Sequence, residues 1–218
     1  MQLDISTTVG KLKNYFLGAG WKVHFIENAE SIFEAYREGV AKCNLTPTDL
    51  VILCHDDIEI LLDSTIFNRI LKHHLSDPKV GFVGVAGSAV ITEDANWFAC
   101  SRKHKSGGGV VFHGPSVLNM ELSRYGDKKV AVILDGVFLA ATSTVIRSIN
   151  LNQPNHFTSK WHWYDASYTF QAYRKKLINV IAPIMIRHES GGNYDASYFK
   201  DIPAFVKLYG KYLPASID

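Results

Sequence analysis

The sequence predicts a single α/β domain over residues 1–218, a mixed, mostly parallel sheet flanked by helices, and three observations predict it. A short, wholly apolar run, Leu50-Val-Ile-Leu-Cys54, sits between Thr-Pro-Thr-Asp and His-Asp-Asp, as a strand buried on both faces does. Apolar strands then alternate with stretches of helical spacing, the order of βαβ units. The 218 residues, 47% hydrophobic and 20% charged, suffice for one sizeable core. No internal repeat, low-complexity tract or linker divides them.

The elements follow in order. Trp21-Lys-Val-His-Phe-Ile26 alternates as a half-buried strand, and Asn28 to Cys43 carries Ile32, Phe33, Tyr36 and Val40 at helical spacing. The run at 50–54 is expected to be a central strand. A helix over Thr65 to Leu75 and an apolar strand over Val80 to Val85 come next. Beyond residue 90 the regularity fades: Trp97-Phe-Ala-Cys100 and Val110-Val-Phe-His113 read as short strands flanking a mobile loop with three consecutive glycines, Gly107 to Gly109. Lys129 to Leu134 is a strand, Asp135-Gly136 a turn, Val137 to Ala140 a strand, and Thr142 to Ile149 a short helix capped by Thr142 or Ser143. A helix over Tyr164 to Lys176, a strand over Ile178 to Ile186 and a last helix over Ala196 to Tyr212 complete the expected set.

Charge and cysteine usage exclude several classes. Lys and Arg number 23 against 21 Asp and Glu, a net charge of +2 that offers no bulk footprint for nucleic acid or an acidic membrane. The three cysteines, Cys43, Cys54 and Cys100, are odd in number and lack CxxC spacing, so neither a disulfide framework nor a cysteine zinc site is expected. Met1-Gln-Leu-Asp-Ile5 has neither the basic nor the apolar region of a signal peptide, and no apolar run approaches the roughly 18 residues of a membrane span. A cytoplasmic protein without a transmembrane segment is the expectation. The sequon Asn44-Leu45-Thr46, followed by Pro47, decides nothing.

Three clusters carry candidate chemistry. His55-Asp56-Asp57 follows the buried strand, at the carboxyl edge where open α/β sheets bind ligands. Adjacent carboxylates repel unless a cation neutralises them, and oxygen ligands suit Mn²⁺ or Mg²⁺, which also bridge phosphates. The structural alternative is a solvated turn with Asp57 near a helix start. A glycine cradle for phosphates is missing: Gly18-Ala-Gly20 lacks the third glycine, and no P-loop pattern occurs. Trp161-His-Trp-Tyr-Asp165 opens a helix, where a carboxylate among aromatics acquires a raised pKa suited to a general base, or else the tryptophans pack and Asp165 caps the helix. His188, followed by Glu-Ser-Gly, suits a metal or phosphate contact, against the commoner structural role of a lone histidine. Arg102-Lys103-His104-Lys105 reads as solvated surface rather than as a clamp on an anionic acceptor.

In their order along the chain, His24-Phe-Ile-Glu-Asn-Ala-Glu-Ser31, Ala35-Tyr-Arg-Glu-Gly39, Leu53-Cys-His-Asp-Asp-Ile58, Leu134-Asp-Gly-Val-Phe138, Trp163-Tyr-Asp165 and His188-Glu-Ser-Gly191 resemble one family. It is the nucleotide-sugar glycosyltransferases of GT-A fold, family-2-like, and more narrowly the StrF-type branch. The resemblance spans about Val23 to Tyr212. It implies a GT-A domain that moves a sugar from a nucleoside-diphosphate sugar, with UDP favoured, to a hydroxyl of a glycan or small-molecule acceptor. It further implies dependence on Mn²⁺ or Mg²⁺ and inversion at the anomeric carbon. Glu27 and Asn28, with Ser31, would then lie beside the base or ribose. Asp57 and His188 would hold the metal, with Asp56 and His55 beside it, Arg37 near a phosphate, Trp163 against the sugar, and Asp165 as base.

Three departures stand out. Arg37 replaces the family's Asn, Ser167 replaces a second acid on the helix, and the usual opening strand is not evident before Lys11. The loss at Ser167 keeps a second reading open, a catalytically inactive GT-A module that binds nucleotide sugar or glycan. A third, an HD-type phosphohydrolase using His55-Asp56 with His73 and His74, belongs to an all-helical fold and fits a pair ending a strand poorly.

Overall fold

The computed structural model describes residues 8–97, 99, 105–191 and 195–217. Its elements are helix α1 (Thr8–Gly18), α2 (Ile32–Lys42), strands β1 (Leu50–Cys54) and β2 (Ile58–Ile60), α3 (Ser64–Leu75), and β3 (Val80–Gly84), β4 (Ala86–Ser88) and β5 (Val90–Ile91). After them come β6 (Gly107–Ser116), β7 (Asn119–Asp127), β8 (Val130–Ala131), β9 (Ile133–Leu134), β10 (Phe138–Thr142), α4 (Ser143–Ser148) and α5 (Tyr164–Arg174). Strands β11 (Ile178–Ile181) and β12 (Ile186–His188), helices α6 (Ala196–Lys200) and α7 (Ile202–Tyr209), and β13 (Ala215–Ser216) follow.

The α/β class with helix-flanked sheets is borne out, but the sheet is less parallel than expected. One sheet runs β1-β10-β3-β11-β8, a second β2-β12-β6-β4-β9 with β7 on β6. In the first, β1, β3 and β11 point the same way, yet β10 inserts antiparallel between β1 and β3. The parallel pairings are β3 with β11 and β6 with β12; the other described pairs are antiparallel. Strand β1 also stands at one end of its sheet rather than at the centre, and residues 21–26 form no strand beside it.

The two-sided burial of β1 has another source. Val51 and Leu53 enter an apolar cluster shared with Phe33 of α2 and Tyr164, Tyr168 and Phe170 of α5. Leu50, Ile52 and Cys54 face a second cluster built on Leu12 and Phe16 of α1 and Phe67 and Leu71 of α3. Alternation of successive side chains across a strand distributes β1 between the two. β10 divides the same way, Leu139 and Ala141 to one side, Phe138 and Ala140 to the other.

Other expectations shift for identifiable reasons. Gly107 to Gly109 belong to β6, not to a mobile loop. A Cβ on Gly108 would stand 2.1 Å from the Lys128 carbonyl, and one on Gly109 1.9 Å from that of Val85, so these glycines admit neighbouring backbone. Residues 97 and 99 are helical rather than extended, and Arg102, Lys103 and His104 lie outside the described residues. The strand expected over 178–186 divides at Pro183, which has no N–H to donate, into β11 and β12 in different sheets. The last helix divides at Asp201 for the opposite reason. Its buried carboxylate accepts bonds from Thr158 N–H and Oγ1 and from Ser159 N–H, which fastens the approach to α5.

Asn179, wholly buried on β11, joins three elements. Its Nδ2 donates to the carbonyls of Val132 (3.1 Å) and Thr169 (2.9 Å), and its Oδ1 accepts from Phe82 N–H (3.2 Å). Replacement Asn179→Leu keeps the branched shape but removes the donor and acceptor and orphans those groups, so it is expected to cost about 3 kcal/mol in urea denaturation. A loss within error of zero would mean that these bonds do not hold α5 to the sheet.

Candidate active site

The histidine and aspartate side chains meet through strand register. Antiparallel pairing of β2 with β12 sets His188 opposite Ile58, and Glu189 N–H donates to the Asp57 carbonyl at 2.9 Å. Parallel pairing of β12 with β6 sets His188 beside His113. The end of β1 brings His55 to the same corner, its N–H donating to the Val137 carbonyl. Asp57 therefore precedes a strand, not a helix.

The resulting distances are short. His188 Nε2 lies 3.1 Å from Asp57 Oδ1, 3.0 Å from Ser190 Oγ and 3.3 Å from His55 Nδ1. His55 Nδ1 is 3.9 Å from Asp57 Oδ1, and its other nitrogen, Nε2, is 2.6 Å from the Tyr164 hydroxyl. His55, Asp57 and His188 offer ligand atoms within 4.8 Å of one another, a two-imidazole, one-carboxylate donor set that fits a divalent ion. Burial alone would raise the Asp57 carboxyl, but the hydrogen bond and charge of His188, with Ser190, hold it well below the usual carboxylate range. Burial and the nearby His188 charge lower the pKa of His55.

Asp165 occupies the opposite electrostatic extreme. It lies in the first turn of α5, where Oδ2 accepts from Gly136 N–H (3.1 Å) and Oδ1 from Ala166 N–H (2.7 Å). Desolvation, then the charge of Asp135, pushes its pKa up to about 7 despite those two bonds. Its charge in turn raises the pKa of the buried phenols of Tyr36, Tyr164 and Tyr168. Tyr164 thus sits between the two halves, next to Asp165 in sequence and bonded to His55 in space. Gly136 permits this, since a Cβ there would stand 2.2 Å from the Tyr164 hydroxyl.

Other expected residues lie elsewhere. Trp163 is 1% exposed, stacks on Tyr198 and donates to the Tyr198 carbonyl, so its ring has no face for a sugar; the half-exposed indole of this segment is Trp161. Ser31 is buried, and its hydroxyl caps α2 by accepting from Glu34 N–H. Glu27 and Asn28 form an exposed turn before α2, Asn28 in the left-handed region at φ 59°. Arg37 is exposed and donates to Asn152 Oδ1 at 3.3 Å. Asp56 is exposed on the turn between β1 and β2. Tyr164, Asp135, His113 and Ser190 were not singled out from sequence. For Tyr164, Asp135 and Ser190 a signal existed, since all three lie inside segments that carry the resemblance. A hollow of about 410 Å³ opens beside Asp57 between α1 and the β6–β7 turn, while a larger one, about 650 Å³, lies away from the site between α1 and α3.

With this geometry in view, the comparison with known families is decisive at the level of class. The model of the glycosyltransferase-like family matches residues 8–201, and the chain belongs to that family, a family-2-like glycosyltransferase of GT-A type. No curated protein matches it. Among the described residues no helix is long and apolar enough to cross a membrane.

The raised pKa of Asp165 has a stability signature. Between the ordinary carboxylate value of 3.8 and about 7 the folded state holds a proton that the unfolded chain has released, so this residue's contribution is full at low pH and is lost as pH rises through 7. Thermal unfolding of wild type and Asp165→Asn from pH 4.5 to 8.5 is expected to diverge: the wild type loses stability with rising pH relative to the variant. Parallel curves would remove the proposed desolvation of this carboxyl.

Proposed function

We propose that the protein is a metal-dependent, inverting transferase that moves a sugar from a nucleoside-diphosphate sugar, UDP-linked by preference, to a hydroxyl of a glycan or small-molecule acceptor. The observation that carries this reading is the opposed tuning of its two carboxylates, Asp57 kept ionised beside His188 and Asp165 desolvated to a pKa of about 7. Asp57 and His188 would hold the divalent ion, Mn²⁺ or Mg²⁺, which when bound supplies positive charge to the departing diphosphate. Asp165 takes the proton from the acceptor hydroxyl as that oxygen bonds to the anomeric carbon and the bond to the diphosphate oxygen breaks. A single displacement of this kind inverts the anomeric configuration.

Further roles belong to the same proposal. Glu27 and Asn28 offer acceptors and a donor to the base or ribose, and Asp56 and Arg37 flank the diphosphate side. Support for their nearness comes from α2, whose Tyr36 and Phe33 rings pack on Tyr164 at 5.5 and 6.3 Å. The whole chain acts as one domain in this reading, on the StrF-type pattern. The free thiols Cys43 and Cys54 agree with a reducing, cytoplasmic setting.

The inactive-module reading rested on Ser167, and the helix weakens it. At about 100° per residue, position 167 points about 200° away from position 165. Ser167 is 1% exposed, so the missing acid removes nothing from the face that Asp165 presents.

Binding and turnover separate the roles. Calorimetry with UDP, thymidine diphosphate and guanosine diphosphate is expected to favour UDP, to need a divalent ion and to fail in Asp57→Ala. Asp165→Asn is expected to bind UDP normally while UDP release from UDP-sugars offered with sugar acceptors falls about 10²–10⁴-fold. Metal-independent binding, a guanosine preference, or full turnover by Asp165→Asn would each overturn the corresponding assignment.

A further inference from the structure

The hollow of about 410 Å³ beside Asp57 has no part in the proposed function so far, and neither has the hairpin that borders it. We infer that this hollow and the β6–β7 turn form the acceptor subsite, and that the acceptor carries an apolar group, an alkyl or aryl aglycone, beside the hydroxyl that receives the sugar. The inference rests on the transferase reading above and names the class of its acceptor.

The hairpin is bent toward that place by a buried cation. Arg187 stands opposite Glu59 in the β2–β12 register and is 2% exposed, and its Nε donates to Glu59 Oε2 at 3.0 Å. Its Nη1 donates to the Gly114 carbonyl at 2.7 Å. Gly114 lies where the β6–β7 register slips: His113 pairs with Glu121 but Ser116 with Asn119, which leaves one extra residue in β6. A bulge of this kind bends its strand and re-aims the side chains beyond it. The guanidinium therefore fixes the bend, and past it Pro115, Ser116 and Val117 line the hollow together with Val9 of α1.

The composition of the turn is the second observation. A two-residue hairpin loop favours Asn-Gly, Asp-Gly or Gly-Gly. Here it is Val117-Leu118, 50% and 100% exposed, and Leu122 on β7 is 56% exposed. None of the three belongs to either apolar cluster, so packing of the core does not account for them. Apolar side chains grouped on an exposed tip beside a cleft mark a surface that a ligand covers. The third observation is that the polar groups of the hollow are engaged with one another. Glu59 is paired with Arg187, the Thr8 hydroxyl donates to Glu189, and Asp57 is held by His188 and Ser190. The apolar wall of Val9, Pro115 and Val117 is left to a ligand, and Asp57, which also lines the hollow, makes it continuous with the diphosphate site proposed above.

Calorimetry with n-alkyl β-glucosides, β-galactosides and β-maltosides from methyl to octyl, below their micelle concentrations and with and without UDP and Mn²⁺, tests this without any turnover. In at least one of the three series wild type is expected to bind about two- to fourfold tighter per added methylene, the gain that burial of that group supplies. Val117→Asp, at an exposed turn position that suits aspartate, is expected to remove the gain, whereas Val117→Leu keeps it, a contrast that misfolding cannot produce. No rise with chain length in any series, or an equal rise in Val117→Asp, would overturn the inference. Self-association of the wild type that Val117→Asp abolishes, with no rise along the series, would give the tip to a second copy of the chain instead. If UDP binds and sugar is transferred to methyl glycosides while chain length has no effect, this inference alone fails. If the rise and its loss are both seen but no nucleoside diphosphate binds, the transferase reading fails and the apolar subsite stands.

Discussion

The site depends on a close approach that only glycine permits. At Gly136 a β-carbon would stand 2.2 Å from the Tyr164 hydroxyl, so the turn between β9 and β10 lies directly against the head of helix α5. That contact brings Asp135 into one corner with Tyr164 and Asp165, where the Gly136 N–H donates to Asp165, 29 positions on. Through β10, paired with β1 from Cys54↔Phe138 onward, the same turn is fixed to the strand that ends at His55. A side chain at 136 would displace Tyr164 and separate the two halves of the site.

Around this contact the molecule tunes two carboxylates in opposite directions by ordinary means. Asp57 is given the His188 imidazole and the Ser190 hydroxyl as hydrogen-bonding neighbours, which favour its charge. Asp165 is buried close to Asp135, and both the burial and that charge disfavour its ionised form. Pairs pushed apart in this way divide metal or phosphate binding from proton transfer. The tyrosines whose phenols feel the Asp165 charge also do structural duty, since Tyr36, Tyr164 and Tyr168 pack with Phe33 between α2 and α5. The core that stabilises the fold and the surroundings of Asp165 share these side chains.

Much of this was legible along the chain, and the rest has physical reasons for being hidden. His55-Asp56-Asp57 and His188 follow apolar strands, so their place at a sheet edge could be read from period and position. That they meet could not, because it is the register of β2, β12 and β6 that sets His188 beside Asp57 and His113, and register is a long-range property. In the sequence Tyr164 is a generic aromatic neighbour of Asp165, because its bond to His55 spans 109 positions. Trp163 was assigned to the sugar because burial of an indole beside a helix start leaves no local mark. The glycines at 107–109 carried a flexible-loop signature, yet they serve close backbone contact within β6. Helix α1 went unread although Leu12 and Phe16 stand at helical spacing and both are buried against α3.

The central claim is that the ends of β1 and β12 and the head of α5 form one metal and diphosphate site. The nine histidines offer a direct measurement of it by NMR of their ring protons during titration with substoichiometric Mn²⁺ and UDP. The account predicts that the signals of His55 and His188 broaden first and that of His113, its ring 5.6 Å from that of His188, next, while the α3 pair His73 and His74 stays sharp. Broadening that begins at His73 and His74, or that spares His55 and His188, would contradict it.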